Sequence, residues 1–302
     1  MDITMKAWLN GTLVDWGEVK VSPLSHSFNR ASAVFEVMAV VPAAKGPAVI
    51  CLAEHVRRFF SSAEQAFMNI PFTLKQIEEA VLVTARVNKV KGGVVKCYAY
   101  YPDIDLGPTI PEHVSTAVFC LDYGMLGIDP DKYASPLNIG ISSYRKLHPS
   151  TAAVHAKITG NYANGYLART EARRKGFDDA LMLDVGGRIA EAPTANIFFV
   201  KDGCVRTPSD ENVLPGITRS VVMDVLEDMG ITVAQSIIMP GDLCEYDEAF
   251  LSGTLRQVQA VRRIEDCEFT SPGPVTGKLM DRMNEVYGGG VEKFNGILAY
   301  IG

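Results

Sequence analysis

Three glycine-bearing turns, each set between short apolar runs, most constrain the fold. Asn10-Gly11 separates Trp8-Leu9 from Leu13-Val14, Gly186-Gly187 separates 180–184 from 188–191, and Lys201-Asp202-Gly203 separates 196–200 from 204–206. Such pairs favour the positive φ of tight hairpin turns. Between these hairpins lie helical spacings. Val56, Phe59, Phe60, Ala63, Ala66 and Phe67 recur at three and four residues and stop at Pro71. Thr73 and Gln76 stand in capping-box positions before Leu74, Ile77, Val81 and Ala85. Residues 161–175, 218–229 and 275–286 read as further helices, the first two followed by Gly176 and Gly230. A chain that mixes hairpins with helices in this way is not a doubly wound sheet with strict strand–helix alternation. The expectation is an α+β (mixed α/β) protein of two domains. A small N-terminal domain spans 1–121, a Gly-, Asp- and Pro-rich interdomain loop spans 122–135, and a larger C-terminal domain spans 136–302.

Composition narrows the function classes. Apolar residues are 47% of the 302 and charged residues 21%, which suits a packed core rather than disorder. A net charge of −6 argues against nucleic-acid or anionic-membrane partners. No apolar run approaches the roughly 20 residues of a membrane helix. The six scattered cysteines, without a CxxC, and the lack of a leader point to a reduced cytoplasmic protein with no metal site. Neither a P-loop nor a GxGxxG fingerprint is present.

Several features could carry chemistry. Lys157 sits among apolar neighbours in Ala156-Lys157-Ile158, and a buried lysine loses its proton more readily and can form a Schiff base. Tyr162, at a helix start, could offer a phenol to the same pocket. Glu191 ends a strand and could keep a pyridinium nitrogen protonated. Leu214-Pro215-Gly216-Ile217-Thr218-Arg219 runs straight into a helix, and Ser252-Gly253-Thr254 follows a strand. Both turns could hold a phosphate on backbone N–H groups, and Arg58 could add a cation.

Together and in this order, these stretches resemble the class IV (fold-type IV, D-amino acid aminotransferase-like) pyridoxal-phosphate aminotransferases, and among them most the branched-chain amino acid aminotransferases. The resemblance covers nearly the whole chain. Further matching stretches are Ser25-His26 with Val34-Phe35-Glu36, Glu54-His55 through Arg58, Gly160-Asn161-Tyr162, Glu171-Ala172-Arg173-Arg174 and Asn196-Ile197-Phe198. The resemblance implies that Lys157 carries the Schiff base of pyridoxal 5'-phosphate and shuttles the substrate proton. It implies that Tyr162 bonds the cofactor's phenolic oxygen and that Glu191 pairs with the ring nitrogen. Arg58, Ile217, Thr218 and Thr254 would hold the phosphate, and Leu214 would pack on a ring face. It further implies an active site between the domains, a homodimer, and exchange of an amino group between an amino donor and a 2-keto acid acceptor.

The sequence departs from the branched-chain pattern where substrate is recognised. Arg30-Ala31 stands where Tyr-Gly is usual, Val37-Met38-Ala39 where Gly-x-Arg is usual, and Val94-Val95-Lys96 where Tyr-x-Arg is usual; Pro193 replaces a small residue. Arg30 and Lys96 are therefore the expected substrate cations beside Phe35, with Arg256 a weaker candidate. Rival readings on the same scaffold are a 4-amino-4-deoxychorismate lyase, a D-amino acid or (R)-amine transaminase, and a member that binds no cofactor.

Overall fold

A computed structural model of the chain describes residues 5–107, 109–128 and 135–302. The chain divides into two compact units: Met1–Ile128 with Ala156–Gly160 and Val286–Gly302, and Asp129–His155 with Asn161–Glu285. This differs from the expected boundaries in two places. The short segment that carries Lys157 belongs to the first unit, and so does the C-terminal stretch. The reason is strand pairing, which takes no account of distance along the chain. Part of the expected 122–135 loop, residues 129–134, lies outside the described residues.

The first unit is an antiparallel sheet with helices on it. Its strands are β1 (Lys6–Leu9), β2 (Thr12–Asp15), β3 (Val34–Ala43), β4 (Gly46–Ile50), β5 (Gly93–Tyr100), β6 (Ser115–Asp122) and β16 (Leu298–Tyr300), in the order β16-β4-β3-β5-β6-β1-β2. Asn10 and Gly11 take positive φ, as the β1–β2 turn requires. A short helix α1 (His26–Arg30) precedes β3; α2 (Leu52–Gln65) and α3 (Leu74–Val87) pack on the sheet. Thr73 caps α3 in a complete capping box with Gln76. Strand β3 alternates strictly at its start. Val34, Glu36 and Met38 are buried among the core, and Phe35 and Val37 are half-buried on the other face. The core joins Val34 and Met38 to Val56, Phe59, Ile77 and Val81 from α2 and α3.

The second unit is a mixed sheet whose pairing closes on itself. Its strands are β7 (Leu137–Ile141), β8 (Asp179–Leu183), β9 (Ile189–Ala192), β10 (Ala195–Lys201), β11 (Cys204–Thr207), β12 (Val233–Gln235), β13 (Glu248–Gly253), β14 (Gln257–Ile264) and β15 (Cys267–Glu268). The path β10-β13-β14-β7-β8-β9 returns to β10 because Asn196 pairs with Glu191. Closure leaves none of these six strands as an edge, while β12 and β15 border the sheet outside the closed path. Ile139, Leu181, Ile197, Phe199, Leu251 and Val261 form its core. Helix α4 (Ala163–Arg174) packs on β8, and α5 (Ile217–Asp228) on β13; α6 (Pro274–Gly288) follows β15. The departure at Pro193 has a steric partner. Pro193 is buried against α4 at Gly165, where an added Cβ would meet Pro193 Cβ at 3.3 Å.

The expected set of reduced cysteines needs one correction. Cys244 and Cys267 are joined by a disulfide. β15 pairs with β14 beside the 3-10 turn at Pro240–Glu245, which brings the two Cα atoms to 4.9 Å. Cys51, Cys97 and Cys120 are buried thiols and Cys204 an exposed one. No helix of the described residues is long and apolar enough to cross a membrane.

Candidate active site

In the first unit the site grows from the ends of β3 and α2. Lys157 is stitched to β3, since Phe35 N donates to Lys157 O at 3.0 Å and Thr159 N to Ala33 O at 2.8 Å. Lys157 N donates to the buried Ser62 Oγ of α2 at 3.0 Å. The lysine backbone is therefore clamped, and its side chain is 13% exposed. On α2, His55, Arg58, Phe59 and Ser62 share one face by their spacing of three and four.

That face meets Glu36, which has no exposed side-chain surface. Arg58 Nε and Nη2 donate to its two oxygens, each at 2.8 Å, and Val37 N donates to Oε1 at 2.9 Å. His55 Nδ1 lies 3.2 Å from Oε1, and Lys157 Nζ lies 3.9 Å from it. Burial pushes the Glu36 carboxyl up, but Arg58, His55 and Lys157 together hold it well below the usual carboxylate range. Burial keeps His55 below its ordinary value, against the pull of Glu36.

The other face of β3 carries Phe35, paired with Tyr98 across the sheet, and Val37, paired with Lys96. Lys96 Nζ lies 5.7 Å from the Phe35 ring centroid and 5.1 Å from that of Tyr98; Lys157 Nζ lies 5.3 Å from the Phe35 ring. The Phe35 face thus attracts two ammonium groups. Arg30 does not join them. It ends α1 and donates to the carbonyls of Asp105, Leu106 and Gly107 at 3.4, 3.4 and 2.8 Å.

In the second unit Glu191 ends β9 beside Asn196 of β10. Asn196 Nδ2 donates to Glu191 Oε2 at 3.0 Å and to Leu214 O at 3.1 Å, while Leu214 N donates to Glu191 Oε1 at 3.3 Å. Lys146 Nζ lies 2.7 Å from Oε1. Glu191 is thereby fixed in place as an accepting group. The same network holds the turn at Leu214, which leads into α5.

Helix α5 starts at Gly216 without a side-chain cap, so its first N–H groups are not covered by its own chain. An added Cβ at Gly216 would run into Asn196 Oδ1, so only glycine lets the turn approach that closely. Thr218 is buried just inside this terminus. Arg219 turns back to Pro208 O at 3.0 Å and to Asp210, which ties the helix start to the strand side. Strand β13 brings Ser252 into register with Asn196, and its hydroxyl is buried without a hydrogen-bond partner among the described residues; Thr254 follows. An uncapped helix N-terminus and an orphan buried hydroxyl suit a phosphate. Tyr162 stands at the N-terminus of α4. Arg256 is taken up by Asp179 and Gln259.

The units thus hold two residue sets. Phe35, Arg58, Lys96 and Lys157 gather in the first; Glu191, Leu214, Ile217 and Thr218 gather in the second. Sequence reasoning assigned no role to Glu36, His55 or Lys146, whereas Ser252 belongs to the turn it offered for a phosphate. Glu36 had a signal: a carboxylate at an inward position of an apolar strand needs a cation. No group of His, Cys, Asp or Glu side chains able to hold a metal occurs among the described residues.

Residues 33–264 match the family model of amino-transferase class IV. The chain belongs to that family. It is a transaminase of this class, whose members use pyridoxal phosphate. It is 30% identical over 291 residues to the branched-chain-amino-acid aminotransferase of Escherichia coli K12, covering 94% of each chain. It is 29% identical to the enzyme of that name from Pseudomonas aeruginosa, again over 94% of each. Among solved structures, the branched-chain aminotransferase of Thermoproteus uzoniensis with norvaline aligns at a TM-score of 0.93, with 31% identity and 99% of each chain covered. The branched-chain amino acid aminotransferase of Escherichia coli aligns at 0.94, with 28% identity, covering 99% of this chain and 100% of the other. The lyase alternative is not favoured by these relatives, all of which are aminotransferases.

Proposed function

We propose that the protein moves the amino group of a hydrophobic, branched-chain-like amino acid to a 2-keto acid, with Lys157 as its catalytic amine. The clamped, mostly buried Lys157 beside the Glu36–Arg58 pair is the observation that carries this reading, in a chain of class IV. When bound, pyridoxal phosphate supplies an aldehyde that accepts the amino group and a ring that takes up the electrons left as the Cα–H bond breaks.

The chain's own groups do the rest. Lys157 Nζ is the nucleophile toward the aldehyde. Freed by the incoming substrate amine, Lys157 Nζ would take the Cα proton and deliver it to the carbon that had carried the aldehyde, two atoms from Cα. Glu191 would face the ring nitrogen, its position kept by Asn196, Leu214 N and Lys146. Tyr162 would hydrogen-bond the ring oxygen. Arg58, Ile217, Thr218 and Thr254 would hold the phosphate, with α5 adding N–H groups at its positive end, and Leu214 would pack on the ring.

Among the three substrate cations considered from sequence, Lys96 is the one this reading assigns to a substrate carboxylate. Arg30 and Arg256 already serve carbonyls and an acid, whereas Lys96 stands among Phe35, Tyr98 and Val37. A single ammonium lacks the two-pronged grip of arginine, so the wall of rings contributes most of the selectivity. The relatives of the chain named above support the branched-chain class of donor. The protein acts as a homodimer in the cytoplasm, in keeping with the family resemblance.

An absorbance spectrum of the purified protein tests the reading, before and after a panel of L-amino acids, D-amino acids and (R)-amines. A visible band absent from Lys157→Ala and bleached by L-leucine, L-valine or L-isoleucine is the expected result. Lys96→Ala should raise the KM for the bleaching acid by about tenfold, the equivalent of about 1.4 kcal/mol. A protein that shows no band after incubation with pyridoxal phosphate overturns the proposal. Bleaching by (R)-amines alone would reassign the donor.

A further inference from the structure

Glu36 is a fully buried acid that the transamination steps above do not use, and it touches two residues that they do. Both of its oxygens receive Arg58 in a two-pronged bond, and Lys157 Nζ lies 3.9 Å from Oε1. A guanidinium held at both Nε and Nη2 cannot swing, so its remaining edge points one way. We propose that Glu36 is the positioning residue of this site: its carboxylate aims Arg58 at the cofactor phosphate and, in the cofactor-loaded protein at rest, acts as the buried counter-ion of the Lys157 nitrogen. The inference rests on the functional reading above, because it assumes that Lys157 and Arg58 face pyridoxal phosphate.

The surroundings make Glu36 the dominant anion at this spot. From α2 come Arg58 and His55; burial disfavours charge on the latter. From β5 comes Cys97, fully buried, whose thiol is pushed well above its ordinary value by burial and by Glu36 itself. Lys96 and Tyr98 stand on the opposite face of the sheet, beside the Phe35 ring. An anion so close to the amine favours its charged form and opposes the effect of burial. Strand alternation explains why the acid is there. Glu36 lies between Val34 and Met38 on the inward face of β3, directly under the polar stripe His55-Arg58 of α2.

Two variants of the full chain test this, each read by a spectral pH titration of the pyridoxal-phosphate-loaded protein and by the dissociation constant for pyridoxal phosphate from equilibrium dialysis. Glu36→Gln keeps the shape and removes the charge. The pH midpoint of its visible band should fall by about one unit or more, and the dissociation constant should rise at least about tenfold. Glu36→Asp keeps the charge but draws the carboxylate back by one methylene. It should titrate within about half a unit of wild type, yet bind pyridoxal phosphate about fivefold more weakly because Arg58 loses its aim. A purely structural role would lower the melting temperature without moving the spectral midpoint. A Glu36→Gln midpoint equal to wild type overturns the counter-ion role. A Glu36→Asp protein that binds the cofactor as tightly as wild type overturns the positioning role, and it does so even if Glu36→Gln fails to fold. A wild-type chain that binds no pyridoxal phosphate overturns the functional reading itself, whereas a wild type that binds it beside unaltered variants overturns only this inference.

Discussion

The few charged residues that the fold buries are held by partners, as Glu36, Asp179 and Glu191 are. Glu36 shows the consequence for pH. Its folded carboxyl sits below its ordinary value of 4.5, so the unfolded chain binds a proton before the folded one does. Its contribution to stability is therefore complete at neutral pH and is lost progressively as the pH falls through about 4.5 and below. Melting temperatures measured from pH 6 to pH 3 should fall more steeply for wild type than for Glu36→Gln, and parallel curves would show that the carboxylate is not ionised in the fold. Glu191 is built differently. Its partners are an amide, a backbone N–H and Lys146, which orient it without surrounding it with arginines.

At the scale of elements, local signals and packing share the work. Helix α3 is set by its ends, with Thr73 and Gln76 satisfying each other's backbone N–H groups. Thr73→Ala should cost about 1 kcal/mol of stability, read as a lower denaturation midpoint with an unchanged transaminase rate. Helix α5 is the opposite case. Its start has no side-chain cap, an arrangement that suits an anion at a helix terminus. Its closeness to Asn196 depends on Gly216, and the same asparagine holds Glu191, so the start of α5 and the end of β9 share one anchor. Helix α2 serves the first unit in the same way. Four side chains on one face reach the core, the acid and the lysine backbone.

The whole molecule is assembled against chain order. The first unit draws on the N-terminal stretch, the five residues Ala156–Gly160 and the C-terminal Val286–Gly302. Strand β16 borders β4, and Phe294, Leu298 and Ile301 are buried with it. Truncation after Glu285 should therefore leave β4 as an open edge above an uncovered core. The expected outcome is insoluble protein, or a loss of well over about 10 °C in melting temperature for any soluble fraction. A truncated chain that melts like wild type would show that β16 contributes little.

Much of this was legible in the sequence because it depends on local rules. The hairpins at Asn10-Gly11, Gly186-Gly187 and Lys201-Asp202-Gly203, the capped α3, the strand-ending Glu191 and the helix start at Gly216 are each set by residues within a few positions of one another. The motifs from Glu191 to Arg219 likewise lie in one continuous stretch, so the family and its chemistry could be recognised there. Tertiary structure decided what depends on partners far along the chain. It gave Lys157 to the first unit through its backbone bonds to β3 and the hydroxyl of Ser62. It tied Arg30 to the 105–107 loop, bonded Cys244 to Cys267, and joined Glu36 to Arg58 across 22 positions. A side chain's type can be read from the sequence, but its charge and aim are set by whichever groups the fold packs against it.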